Sequence, residues 1–213
     1  QELYDYTIKA FNSAWRFRSP TFVLGDGYQG KMLGEVQYAP MKKSDYVEPE
    51  PILLGEKRKN GISTNLRNCF DQEEEINAII QHYNEEYERD RKQIAESESF
   101  KTRDAHTVII AHGIVASAAK VAVTTLREHG AKVGLWRPIT LRPLDTTPLV
   151  SLAKRAKSFI YVESALGQMA RLINDELANN LDRDDKHPEI RTLYRPAIGI
   201  TPQEIIEFVL SKK

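Results

Sequence analysis

From residue 105 onward the chain alternates short apolar runs with helix-length amphipathic segments, and this rhythm constrains the fold more than any other feature. Thr107–Ala111 reads as a buried strand and Ala116–His129 as a helix ended by Gly130. Lys132–Trp136 is the next strand, Thr147–Lys157 a helix, Phe159–Val162 a strand and Gly167–Asn180 a helix. Ile190–Tyr194 and Pro202–Leu210 close the series as strand and helix. Strands separated by helices of this length run parallel, because each crossover returns the chain to the same end of the sheet by a right-handed path. Four strands with helices for both faces predict a self-sufficient three-layer α/β/α domain over residues 105–213, its sheet mostly parallel.

Upstream the pattern is poorer. Leu3, Tyr6, Ile8, Phe11, Ala14 and Trp15 fall at helical spacing over residues 2–18, and Pro20 stops that helix. Thr21–Leu24 then reads as a strand running into Gly25-Asp26-Gly27. One helix, one strand and one glycine turn cannot bury a core alone, so residues 1–48 are expected to be the tail of a larger domain. Residues 49–104 are expected to be a connection. Pro40, Pro49, Pro51, Gly55, Gly61 and the exposed triplet Lys57-Arg58-Lys59 break regular structure around its start. A long amphipathic helix over 72–95 follows, with Ile76, Ile79, Ile80, Tyr83, Tyr87 and Ile94 on one face. That stripe has two places to go, the C-terminal domain or a subunit interface.

Charge and cysteine content exclude several functions. Thirty basic residues balance thirty acidic ones, so no global field draws in nucleic acid or an anionic membrane. No apolar run approaches the roughly 20 residues that span a bilayer, and residues 1–20 lack the apolar core of a signal peptide. The chain begins at Gln1 rather than Met, as expected of a piece of a longer protein. Its single cysteine, Cys69, permits no internal disulfide and fits a cytoplasmic location. One thiol also cannot supply the four ligands that an iron–sulfur cluster usually takes.

In a parallel sheet, functional groups gather at the carboxyl ends of the strands. Those ends read His112-Gly113, Arg137-Pro138, Glu163-Ser164 and Arg195-Pro196. His112 has an acid–base residue's ordinary pKa but no partner at motif spacing, so a half-buried structural histidine is expected. Gly113 opens the turn into the next helix without the further glycines of a dinucleotide fingerprint; the free amides at that helix start suit an anion, and with Ser117 they suit ordinary capping equally well. Glu163 lacks the partner carboxylate that general acid catalysis asks for, and is expected to bond nearby backbone. The arginines are expected at the surface. No nucleophile elbow, zinc-protease motif or complete phosphate-binding loop occurs, and the five histidines do not cluster at metal-ligand spacing. An alternative reading remains, a non-catalytic module that takes a small anion at the loops near Gly113 and Gly167.

Three strings point further. They are Leu24-Gly-Asp-Gly-Tyr-Gln-Gly-Lys-Met32, Val133-Gly-Leu-Trp-Arg-Pro-Ile-Thr-Leu141 with Pro143 after it, and Val162-Glu-Ser-Ala-Leu-Gly-Gln-Met169. In this order they resemble the alpha-type subunit of 2-oxoacid:ferredoxin oxidoreductases, and residues 68–100 look most like the 2-oxoisovalerate (branched-chain) members. The resemblance implies that residues 1–48 end a pyrimidine-type domain of thiamine-diphosphate enzymes. It implies a transketolase C-terminal-like domain downstream, in which residues 98–103 supply an antiparallel edge strand. The implied reaction joins a 2-oxoacid and coenzyme A, giving an acyl-CoA, carbon dioxide and reduced ferredoxin.

Thiamine diphosphate, magnesium and iron–sulfur clusters are implied for the assembled enzyme, with none in this piece. The implied partners are a beta-type, diphosphate-binding subunit, a ferredoxin-like subunit, and ferredoxin as electron acceptor. Gly25-Asp26-Gly27 imitates the start of a diphosphate-binding motif, but residues 54–57 read Leu-Gly-Glu-Lys where the motif asks for Asn. The turn is therefore read as the alpha subunit's own. No catalytic, cofactor-binding or metal residue is assigned here. Gly25, Asp26, Gly27, Gly113, Arg137, Pro138, Glu163, Gly167, Gln168 and Met169 are expected to be structural or interface positions.

Overall fold

The apolar runs downstream of residue 90 pair into one sheet in a computed structural model that describes residues 1–38, 46–47 and 69–211. Numbered along the chain, the helices are α1 (Glu2–Phe17), α2 (Glu73–Ile94), α3 (Gly113–Glu128), α4 (Thr146–Arg155), α5 (Gln168–Asn180) and α6 (Pro202–Leu210). The strands are β1 (Ser97–Phe100), β2 (Thr107–Ile110), β3 (Val133–Pro138), β4 (Ser158–Glu163) and β5 (Glu189–Tyr194). The chain divides into two compact units, Gln1–Arg89 and Asp90–Lys213.

In the second unit the five strands lie in the order β1-β3-β2-β4-β5, parallel except for β1, which runs antiparallel to β3. Successive residues of a strand point to opposite faces, so a sheet covered on both sides needs unbroken apolar runs. Val108, Ile110, Trp136, Phe159 and Tyr161 meet Leu149 and Leu152 of α4 and Met169, Ile173 and Leu177 of α5 on one face. Ile109, Leu135, Ile160 and Val162 face the other way, against α3 and Ile205 of α6. Ala116, Ala119 and Ala122, all buried, give α3 a thin side for that close approach. The result is the expected three-layer α/β/α arrangement.

Local chemistry sets the details. A methyl group on Gly134 would lie 2.7 Å from the Lys101 carbonyl oxygen and 2.8 Å from Thr102 Cα, so only glycine lets β3 pass under that turn. Thr201 and Glu204 form a reciprocal capping box on α6, with Pro202 at its first turn. Most boundaries shift by one or two residues from the sequence reading, and two shifts matter for the corner described below. Helix α3 starts at Gly113, three residues early. Strand β3 includes Arg137 and Pro138, expected in the exit loop, because β1 pairs with both (Glu98 with Arg137, Ser97 with Pro138). The sheet thus has a fifth strand, beyond the four counted from alternation, close to where an antiparallel edge was expected.

The first unit is built differently. Helix α1 forms as its spacing predicts, yet buries none of its residues. The strand expected at Thr21–Leu24 does not form: those residues are irregular, with Phe22 81% and Leu24 78% exposed. A strand exists only by pairing, and the described residues of this unit contain no other strand to pair with. Helix α2 also forms but buries none of its residues; Ile80 is 58% and Tyr83 63% exposed, so the apolar stripe is not taken into a core. Its last turn, in the second unit, reaches α5 through Arg91 and Glu176 at 3.4 Å. Pro40, Pro49, Pro51, Gly55, Gly61, the triplet Lys57-Arg58-Lys59 and the expected boundary at residues 48 and 49 lie outside the described residues. No helix among the described residues is long and apolar enough to cross a membrane.

Candidate functional site

The path of the chain marks one corner of the second unit. From β2 it passes through α3 to β3 on one side, and α4 then carries it back past β2 to β4 on the other. In open α/β sheets such a reversal splays the connections apart at the carboxyl ends of the two strands and leaves a crevice for ligands. Ile110 of β2 is level with Tyr161 of β4, so His112 and Glu163 stand two residues further on at this reversal.

Glu163 is 2% exposed. Its Oε2 accepts the Met169 N–H at 3.1 Å and its Oε1 the Ala170 N–H at 2.9 Å. The first turn of α5 contains no acid and its N-cap, Gly167, has no side chain to offer. Glu163 therefore supplies both the acceptors and the negative charge that a helix start favours. Gly167 is left-handed at φ 84°, and a methyl there would lie 2.8 Å from the Tyr194 ring. The Gln168 Oε1 accepts the Leu166 N–H at 2.8 Å, and Tyr161 donates its hydroxyl to Asn174 at 2.7 Å. Burial pushes the Tyr161 and Tyr194 hydroxyls upward in pKa, and the Glu163 charge adds to the rise in both.

His112 is the N-cap residue of α3, but its side chain makes no capping bond. Burial holds its imidazole below the ordinary histidine value; the Glu163 carboxylate pulls against this and Arg137 adds to it. Gly113 beside it is left-handed at φ 56°, with open space around the position of a Cβ. Arg137, one strand over, pairs with Glu98 at 3.4 Å, and Glu98 also bonds Lys120 of α3. Arg195 pairs with Glu204 at 2.9 Å. Ser117 is exposed.

The corner thus gathers His112, Gly113, Glu163, Gly167, Gln168 and Met169, with Arg137 and Pro138 on the next strand. It adds Tyr161, Asn174 and Tyr194, which the sequence reading did not single out. Tyrosines on strands are common core residues, and only Gly167, where nothing larger fits, hints at an aromatic neighbour. Gly25, Asp26 and Gly27 belong to the first unit. There the Asp26 Oδ1 accepts the Tyr28 N–H at 2.8 Å and the Gln29 N–H at 3.4 Å, capping a single 3-10 turn. Among the described residues no three His, Cys, Asp or Glu side chains converge as metal ligands would.

Residues 105–197 match the family model of pyruvate:ferredoxin oxidoreductase core domain II. The chain is 34% identical over 171 residues to the ketoisovalerate oxidoreductase subunit VorB of Methanothermobacter marburgensis, covering 79% of this chain and 47% of that one. It is 30% identical over 190 residues to the 2-oxoglutarate synthase subunit KorA of Methanocaldococcus jannaschii, covering 79% and 51%. The chain therefore spans about half the length of the curated relatives it matches. Among solved structures, the 2-oxoglutarate:ferredoxin oxidoreductase of Magnetococcus marinus superposes with a TM-score of 0.54 at 17% identity, over 72% of this chain and 25% of that one. That likeness concerns the fold, and it agrees with the layers and sheet described above. Residues 105–197 are accordingly a core domain II of the pyruvate:ferredoxin oxidoreductase kind, carried by a chain homologous to subunits of 2-oxoacid oxidoreductases.

Proposed function

We propose that the chain is the C-terminal portion of the alpha-type subunit of a thiamine-diphosphate-dependent 2-oxoacid:ferredoxin oxidoreductase, serving assembly and active-site support. The observation that carries this is the 34% identity to a ketoisovalerate oxidoreductase subunit across 79% of the chain. On this reading the enzyme converts a 2-oxoacid and coenzyme A to an acyl-CoA, carbon dioxide and reduced ferredoxin, with a branched-chain 2-oxoacid as substrate. Residues 1–48 end the pyrimidine-type domain, 49–104 connect, and 105–213 form the transketolase C-terminal-like domain.

Thiamine diphosphate and magnesium belong to the assembled enzyme and are held by residues other than these. The iron–sulfur clusters are held by other chains, since this one brings a single cysteine. The partners are a beta-type subunit, a ferredoxin-like subunit and ferredoxin, in the cytoplasm. Gly25, Asp26, Gly27, Gly113, Arg137, Pro138, Glu163, Gly167, Gln168 and Met169 act as structural or interface positions. The engagement of Asp26, Arg137 and Glu163 within their own units supports that assignment.

Reconstitution tests the division of labour. The full-length subunit, co-expressed with its beta-type and ferredoxin-like partners, should reduce a viologen dye in the presence of 2-oxoisovalerate and coenzyme A. The isolated chain should not. Turnover by the isolated chain would overturn the proposal.

A further inference from the structure

A charge removed from water is costly unless it is paired or fully hydrogen-bonded. Glu163 is 2% exposed, and among the described residues it forms no ion pair; its bonds go to the Met169 and Ala170 amides. Those amides open α5, and they stand at the carboxyl end of β4, beside β2. This is the end of the sheet where open α/β folds place ligands, and exposed amides at a helix start are the groups that hold anions there. Both amides are used, the first turn of α5 brings no acid of its own, and the Tyr194 ring packs against Gly167 so closely that a methyl would lie 2.8 Å from it.

We infer that the Glu163 carboxylate is a built-in ligand, occupying the start of α5 where this fold would hold a diffusible anion and locking β4 to α5 in its place. The lock ties the end of a central strand to the helix covering it, and it takes the Met169 and Ala170 amides out of small-anion binding. The inference concerns this chain's own residues and stands apart from the reaction proposed above.

Formate, a carboxylate without a side chain, tests it in the full-length chain. Glu163→Ala should lower Tm by roughly 5 °C. Formate should then raise the Tm of that variant saturably relative to chloride at the same ionic strength, while the wild type responds alike to both salts. An equal formate response in variant and wild type would overturn the inference, as would saturable formate stabilisation of the wild type. Glu163→Gln keeps the volume and removes the charge, and gives a second reading if the alanine variant does not fold. Its Met169 and Ala170 amides should exchange with solvent about tenfold faster than in the wild type. Unchanged exchange at both would show that the charge is not what holds α5.

Discussion

Helices α1 and α3 are each 16 residues long and each amphipathic, yet α3 buries six residues and α1 none. The difference does not lie in the helices. Strands β2 and β3 flank α3 in sequence and provide a surface within a few residues on either side, and α6 adds more. The segment after α1 holds aromatic and aliphatic residues of strand type, Phe22, Val23 and Leu24, but the described residues of the first unit form no strand to pair with them. An amphipathic pattern states that a helix has a face to bury. Whether this chain supplies the cover depends on long-range pairing, which a short window of sequence does not contain.

Core truncation should separate the two regions most widely. Trp136→Ala or Phe159→Ala, each at a fully buried position, should cost ~3–5 kcal/mol of the second unit's stability in denaturant titrations. Phe11→Ala, at a residue 67% exposed on α1, should cost less than ~1 kcal/mol. Similar losses at the two sites would break the contrast. Glycines give the next test. Gly134→Ala and Gly167→Ala meet backbone and ring atoms within 3 Å, and each should cost roughly 2 kcal/mol. Gly27→Ala, with open space around it, should stay within about 0.5 kcal/mol.

Removing the cap of α6 by Thr201→Ala should cost about 1 kcal/mol at neutral pH. The backbone and side-chain bonds from Thr201 hold the Glu204 carboxyl below the usual glutamate range. Its contribution is therefore present above the unfolded-state pKa and is lost as pH falls through that value and below. The difference between wild type and Thr201→Ala should shrink on acidification, as read by thermal melts from pH 7 to pH 3.

The smallest effect is expected from His112, whose folded-state pKa is depressed chiefly by burial. The unfolded chain then binds more protons than the folded one just below the ordinary histidine pKa of about 6.5. Stability should decline as pH falls through that value and level off below the folded pKa. His112→Gln should flatten this part of the profile; an unchanged profile would count against a buried neutral imidazole.

The second unit was legible because its information is local and repeated. Each apolar run between helices, such as Thr107–Ile110 or Ser158–Glu163, became a strand, and Gly130 at φ 81° ends α3 where it was expected to. The errors lie where a distant partner decides the outcome. Arg137 and Pro138 stay in β3 because Glu98 and Ser97, some 40 residues earlier, pair with them, and Thr21–Leu24 meets no such partner among the described residues. At the corner, residue type and strand-end position named His112 and Glu163. The sequence could not say that Glu163 reaches forward to the amides of Met169 and Ala170, nor that Tyr194 lies against Gly167. Both contacts depend on the β4–β5 pairing and the packing of α5.

On the proposed function, the second unit supports an enzyme whose reacting groups lie elsewhere. His112 is the one residue of the corner with the ordinary acid–base character to contradict that. The direct measurement is kcat for 2-oxoacid-dependent dye reduction by the assembled enzyme carrying His112→Gln, with fold and assembly checked alongside. The expected value lies within about threefold of wild type. A loss of about 100-fold or more in a folded, fully assembled variant is the size expected on removing a general acid or base, and would contradict it.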